Sequence, residues 1–146
     1  MLITKELHSR FGQVHGFTLM EMLVVLGIIA LLATLVAPQV VRYLSKAKTD
    51  TAVAQIKNLQ TAVELYFLDT GQYPTADTGL SALVSKPTDQ ENWNGPYLRS
   101  KEGLIDPWNR PFNYVSPGKH SEYDLFSYGL DGAEGGEGEN RDVTSW

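Results

Sequence analysis

Carboxylates crowd the end of this chain. Seven acids stand between His120 and Trp146: Glu122, Asp124, Asp131, Glu134, Glu137, Glu139 and Asp142. Arg141 is the single base among them, so this stretch carries −6 of the chain's net −5 and the remainder is close to neutral. Glycines interleave the acids from Gly129 to Gly138. Calcium takes about six to eight oxygens, backbone carbonyls included, from a chain able to curl around it. Acids supply the charge and glycines permit the curl. The acids lack the regular spacing and closing Glu of an EF-hand. Composition leaves two readings open, a calcium loop and a solvated flexible loop.

A second carboxylate is misplaced in a different way. Glu21 sits inside the apolar stretch that opens at Phe17, and the next charge is Arg42. The 20 residues between them are uncharged. As a helix they would measure about 30 Å, the thickness of a bilayer's hydrocarbon core. A lone carboxylate at that depth costs several kcal/mol and needs a partner, unless it merely marks the interface. Gly16-Phe17 places a small residue before a bulky one, as at a processing point. A cut there would free an amine on Phe17, one helical turn from Glu21. Bases lie on both sides, Lys5 and Arg10 before the run and Arg42, Lys46 and Lys48 after it. Their count does not favour a cytoplasmic N-terminus.

These residues must be carried by a small set of elements. The apolar run contains Gly27 and Pro38, which favour a curved or locally meltable helix. After Arg42 the pattern becomes amphipathic. Val53, Ile56, Leu59, Val63, Tyr66 and Phe67 recur at spacings of three and four, with Lys57, Gln60 and Glu64 between them. The same helix is expected to continue to Thr70, with Gly71 as its C-cap, roughly 80 Å from Phe17 at about 1.5 Å per residue. Beyond it the signals are short. Thr78–Val84 reads as a short helix and Gly95–Leu98 as a turn with a short extended piece. Asp106–Pro111 reads as a turn, Phe112–Val115 as a strand and Tyr123–Tyr128 as its antiparallel partner across Pro117-Gly118. The fold class is α+β, a small antiparallel sheet packed on a long helix. Trp146 is expected to pack back on this head.

Several function classes drop out. There is no cysteine, hence no disulfide, zinc-thiolate site or thiol nucleophile. No basic stripe exists to neutralise phosphates, so nucleic acid is not an expected partner. No HExxH or Gly-rich phosphate loop occurs. His120, beside Pro117-Gly118, reads as a turn residue, since a catalytic histidine needs convergent partners. The acids of the tail lie on one loop and do not face each other across a cleft, unlike a glycosidase pair. No enzyme activity is expected.

The run Gly16-Phe17-Thr18-Leu19-Met20-Glu21 resembles the class III signal of type IV prepilins and pseudopilins. That resemblance implies cleavage after Gly16 by a prepilin peptidase at the cytoplasmic face, N-methylation of Phe17, and an assembly role for Glu21. The Glu21 carboxylate would pair with the amine of a neighbouring subunit, each offsetting the other's desolvation. Further motifs follow in order: Tyr73-Pro74, Gly79-Leu80, Gly95-Pro96-Tyr97-Leu98, Asp106-Pro107-Trp108, Pro111-Phe112, Pro117-Gly118 and Tyr123-Asp124-Leu125. They resemble the major pseudopilins of the type II secretion system, within the type IV pilin-like superfamily. Asn109-Arg110 departs from that pattern, which often has a glycine after the Trp, and Leu130 stands where alanine is common.

The resemblance implies three segments: a leader of residues 1–16, a transmembrane and assembly helix of residues 17–42, and a periplasmic head of residues 43–146. It implies calcium in the C-terminal loop. The Asp131 and Asp142 side chains and the Tyr128 and Ala133 carbonyls lead as ligands, with further ones from the Glu139 and Asn140 region. It implies a structural subunit of a periplasmic pseudopilus, anchored first in the bacterial inner membrane as a single pass. Its partners would be copies of itself in a helical homopolymer, minor pseudopilins, the prepilin peptidase, and the inner-membrane assembly platform with its ATPase. The rival readings are a pilin filament subunit for adhesion or motility and a membrane-anchored calcium-binding or hydrolytic module.

Overall fold

The computed structural model of the chain describes residues 16–146, so the expected leader lies outside the described residues except for Gly16. The chain divides into two compact units, one ending at Gln39 and one from Val40 to Trp146. Helix α1, Leu19–Thr70, contributes to both.

In the first unit α1 starts where Thr18 caps it. The Thr18 Oγ1 accepts a hydrogen bond from the Glu21 amide at 3.1 Å, and the Thr18 carbonyl accepts one from the Met22 amide. A Thr in this position satisfies a helix-start amide that has no partner within the helix. Its side chains from Leu19 to Val36 are exposed, and all but Glu21 and Thr34 are apolar. By length and composition this helix is apolar enough to cross a membrane. The helix runs on through Pro38.

The second unit is built on the C-terminal half of α1. Ala52, Ile56, Leu59, Ala62, Val63 and Tyr66 are buried there. The helical stripe is thus as expected, with one shift. Val53 is 36% exposed while Ala52 is fully buried. Position 52 sits one turn before Ile56, so the buried face runs through Ala52 and not through Val53. The helix stops at Gly71, whose φ of +76° suits glycine, and whose amide closes on the Phe67 carbonyl.

The rest of the unit covers that stripe. A 3-10 helix, Gly79–Leu83, buries Leu80, Ala82 and Leu83. Its last carbonyl, on Leu83, receives the amides of both Tyr97 and Leu98, so Gly95–Leu98 is an irregular segment docked on this helix end and not a strand. A second 3-10 turn spans Lys101–Leu104. Three strands follow: β1, Asn113–Val115; β2, Asp124–Ser127; and β3, Val143–Thr144. They form an antiparallel sheet in the order β1-β2-β3, with Tyr114 opposite Leu125 and Ser127 opposite Val143. The hairpin expected across Pro117-Gly118 is therefore present. β3 is an addition that two residues could not announce by periodicity.

Leu125, fully buried, joins Phe112, Tyr123 and Val143 against the helix residues in one core. Polar links stitch the same surfaces. Gln60 Nε2 donates to the Ser145 carbonyl and Gln55 Nε2 to the Ile105 carbonyl. The Tyr123 hydroxyl donates to Glu64 and the Tyr97 hydroxyl to Asp69. Deleting a buried leucine side chain costs its transfer free energy plus the cavity it leaves. Leu125→Ala is expected to destabilise the head by about 2–5 kcal/mol. Val53→Ala, on the exposed side of the stripe, is expected to change stability by only about 0.5 kcal/mol. Denaturant unfolding of the detergent-solubilised chain measures both.

Candidate functional site

Two places carry the predicted chemistry. At the helix start, Gly16, Phe17 and Thr18 precede the first helical residue, and Phe17 is 75% exposed. The Gly16–Phe17 bond thus lies outside α1. Glu21 is on the first turn, four residues from Phe17. Thr18 and Glu21 also have the spacing of a capping box, in which the Thr side chain receives the amide three residues on. The Thr18 cap was readable from that spacing alone. It gives the pattern a local task, fixing where the helix begins, beside any task between subunits.

The second place is the loop from Tyr128 to Asp142, between β2 and β3. Gly129 has φ +62°, and a Cβ there would lie 2.7 Å from the Glu139 carbonyl oxygen and 2.8 Å from that of Arg141. Only glycine lets the two arms of the loop meet so closely. Leu130 N donates across to the Glu139 carbonyl at 2.9 Å, and Gly132 N closes a turn on the Tyr128 carbonyl. Asp131 Oδ1 accepts from Ala133 N, and Asp142 Oδ2 from Gly135 N. Asn140 N donates to the Glu137 carbonyl within a 3-10 turn, Gly138–Asn140. The loop is therefore folded on itself, while residues 130–138 stay exposed.

Its donor set suits a hard cation in kind. Asp142 Oδ1 is buried and has no hydrogen-bond partner. A buried carboxylate oxygen left unpaired is costly, and a cation would satisfy it. Among the described residues no three His, Asp or Glu side chains converge as a metal-binding group. Any ion here would rest on the Asp131 and Asp142 carboxylates with main-chain carbonyls for the remainder. The loop's folding places Tyr128 and Glu139 in hydrogen-bonded turns, each with its carbonyl accepting one amide. For Ala133 and Asn140 the structure shows their amides engaged as donors.

The loop is anchored by a turn that the sequence reading treated only as a turn. The carboxylate of Asp106, 4% exposed, accepts from Trp108 N at 2.9 Å, from Arg110 N at 2.8 Å and from Ser127 Oγ at 2.5 Å. It ties the 106–110 turn to the end of β2, where the loop begins. Asn109, with φ +64°, completes this turn. Arg110 then reaches the loop itself, its Nη2 donating to the carbonyls of Gly129 and Leu130.

A sequence description named Type II secretion system (T2SS), protein G matches residues 39–146. The chain belongs to the type II secretion system protein G family. The prokaryotic N-terminal methylation motif matches residues 13–37. Type II secretion system core protein G of Pseudomonas aeruginosa is 43% identical over 138 residues, 92% of this chain and 96% of that protein. Its namesake in Vibrio cholerae is 43% identical over 134 residues, 90% of each chain. The crystal structure of the major pseudopilin from the type 2 secretion system of enterohaemorrhagic Escherichia coli aligns with TM-score 0.57 at 35% identity. That alignment covers 69% of this chain and 88% of the other. The protein G fold is thus the long helix and small antiparallel sheet expected from the sequence.

In this protein G family member, His120 and Trp146 form a clasp beside the loop. Their rings stack at 4.0 Å with an interplanar angle of 11°. Trp146 does pack back as expected, yet keeps 52% of its surface exposed. His120 Nδ1 lies 3.0 Å from Asp124 Oδ2, and the carboxylate also accepts the Lys119 and His120 amides. The histidine is a turn residue, as read from the sequence. Burial pushes the Asp124 pKa up, but the Lys119 amide and both His120 contacts outweigh it, so the carboxyl lies below its ordinary value. A carboxyl depressed in the folded state adds stability that is complete above its unfolded value, near pH ~4, and is lost as pH falls through the folded one. Stability measured from pH 6 downward should therefore fall more steeply in the wild type than in Asp124→Asn, the two curves converging in acid. Parallel curves would remove Asp124 from this role.

Proposed function

We propose that the chain is a structural subunit of the periplasmic pseudopilus of a type II secretion system, assembling to move folded proteins across the outer membrane. The observation that carries this reading is the pairing of an exposed apolar helix, matched to the N-methylation motif, with a head matched to protein G. The chain would be made as a precursor with residues 1–16 as leader, and residues 17–42 would anchor it in the inner membrane with residues 43–146 in the periplasm. Prepilin peptidase would cut after Gly16 and methylate Phe17. The new amine and Glu21 of a neighbouring copy would then pair, since each ion is costly in lipid without the other. That pairing would set the register of a helical homopolymer. An assembly platform with its ATPase would add subunits, and minor pseudopilins would join the filament.

Mass and N-terminal sequence of the protein from native membranes test the first step. They should show a chain beginning at methylated Phe17, also in Glu21→Ala. That variant should be processed yet support neither filaments nor exoprotein release. A wild-type chain that still carries residues 1–16 in the presence of the peptidase would overturn the reading, as would normal filaments from Glu21→Ala.

We further propose calcium as the cofactor of the 128–142 loop. The Asp131 and Asp142 carboxylates would hold it, with carbonyls from Tyr128, Ala133 and the Glu139–Asn140 turn. The unpaired, buried Asp142 Oδ1 supports this reading. Calcium would supply charge neutralisation and a tie between β2 and β3 that no disulfide provides in a chain without cysteine. An ion bound only by the folded loop, present at about 100 times its Kd, adds about 2.7 kcal/mol. For a head of this size a chelator should then lower Tm on the order of 10 °C. Asp131→Ala should abolish the difference between calcium and chelator. A wild-type melting curve indifferent to chelator would sink the calcium reading.

A further inference from the structure

Arg110 stands out among the groups that the reading above leaves unused. Its side chain is not on the acidic loop, yet it ends against it. Nη2 donates to the carbonyls of Gly129 and Leu130, successive residues of one turn. Nη1 faces Gly132, where an added Cβ would lie only 2.5 Å from it. The guanidinium therefore fills the space beside the 129–132 backbone that any side chain at position 132 would take. Gly132 also has φ +69°, so the turn and the guanidinium both require glycine at that position.

The base of this arm is rigid. Arg110 N is held by Asp106 Oδ1, and the Arg110 carbonyl accepts the Asp106 amide at 2.7 Å. Asp106 is itself bound to Ser127 at the end of β2. Arg110 and the loop it reaches are thus fixed to the same buried carboxylate from two directions. The loop between Gly129 and Asp142 carries five carboxylates against one base of its own, Arg141. A guanidinium at its first turn reduces that repulsion. It also points donors at carbonyls, the group that a metal ion would otherwise attract.

We propose that Arg110 is a resident cation of the acidic loop, its guanidinium holding the 128–132 turn closed whether or not a divalent metal is bound. The inference rests on the calcium reading only for the metal's share. Arg110 is a positioning residue: it keeps the Tyr128 carbonyl and Asp131 near their bound arrangement, so that metal release loosens the far arm of the loop first. The turn's amides report this directly. Leu130 N and Gly132 N are hydrogen-bonded within the loop, while Ile56 to Tyr66 of α1 serve as the internal standard.

Amide hydrogen exchange on the full-length processed chain in detergent, in the presence of chelator, tests the proposal. Arg110→Ala should speed exchange at residues 130–132 about tenfold or more, with α1 unchanged. Arg110→Lys keeps the charge but loses the fork, and should restore part of the protection. With calcium bound, the difference between wild type and Arg110→Ala at residues 130–132 should shrink. Equal exchange at residues 130–132 in wild type and Arg110→Ala, both in chelator, would overturn the proposal, as would loss of α1 protection in both variants. Calorimetric titration of the wild type with calcium alone reads the other claim separately. Absence of binding heat would remove the calcium reading, and the comparison in chelator would still decide Arg110.

Discussion

Three short strands make a sheet too small to persist in water, and its existence here depends on the stripe that α1 presents to it. Strands of three, four and two residues cannot bury a face against each other. Ile56, Leu59, Val63 and Tyr66 supply the missing surface, and Leu125 is the sheet residue that meets it most completely. Everything functional in the head is referred to that contact. The hairpin sets where β2 ends, the end of β2 sets where the acidic loop starts, and β3 returns the loop to the sheet.

Within that frame a single buried carboxylate organises the approach to the loop. Asp106 gathers two amides and a serine hydroxyl, drawing together the 106–110 turn and the last residue of β2. A buried carboxylate is tolerable only when its lone pairs are so occupied. The consequence is that Arg110 leaves the turn in a direction set by Asp106. The loop in turn is a mixture of opposed needs. Its carboxylates repel, its glycines remove the side chains that would keep its arms apart, and Asp142 is left with a buried oxygen that no donor reaches. A head without disulfides is thereby held at its C-terminal end by charge and hydrogen bonds.

The two halves of the helix suit different surroundings. Its first half exposes Leu, Ile and Val on all sides, which suits lipid or the apolar helices of other copies. Its second half confines apolar residues to a stripe and covers them with the head. Glu21 is the exception in the first half, and its place on the first turn, behind the Thr18 cap, puts a carboxylate at the amide-rich end of the helix, where negative charge is favoured.

The length of the apolar run, the stripe of α1, the Gly71 stop and the 112–128 hairpin could all be read from residue types and spacing. Each depends on interactions between neighbours in sequence or on a strict period. The exposure of Val53, the docking of Gly95–Leu98 on the 3-10 helix, strand β3 and the reach of Arg110 could not. β3 is two residues long and is a strand only because β2 lies beside it. Asn109-Arg110 read as a local departure from a familiar turn, since its partners are the Gly129 and Leu130 carbonyls some twenty residues away. The sequence by itself determined which segments are apolar, where the helix can begin and end, and that the tail is rich in oxygen donors. Tertiary structure alone decided which of those donors are already engaged, because hydrogen bonds and burial between distant residues exist only after the chain has packed.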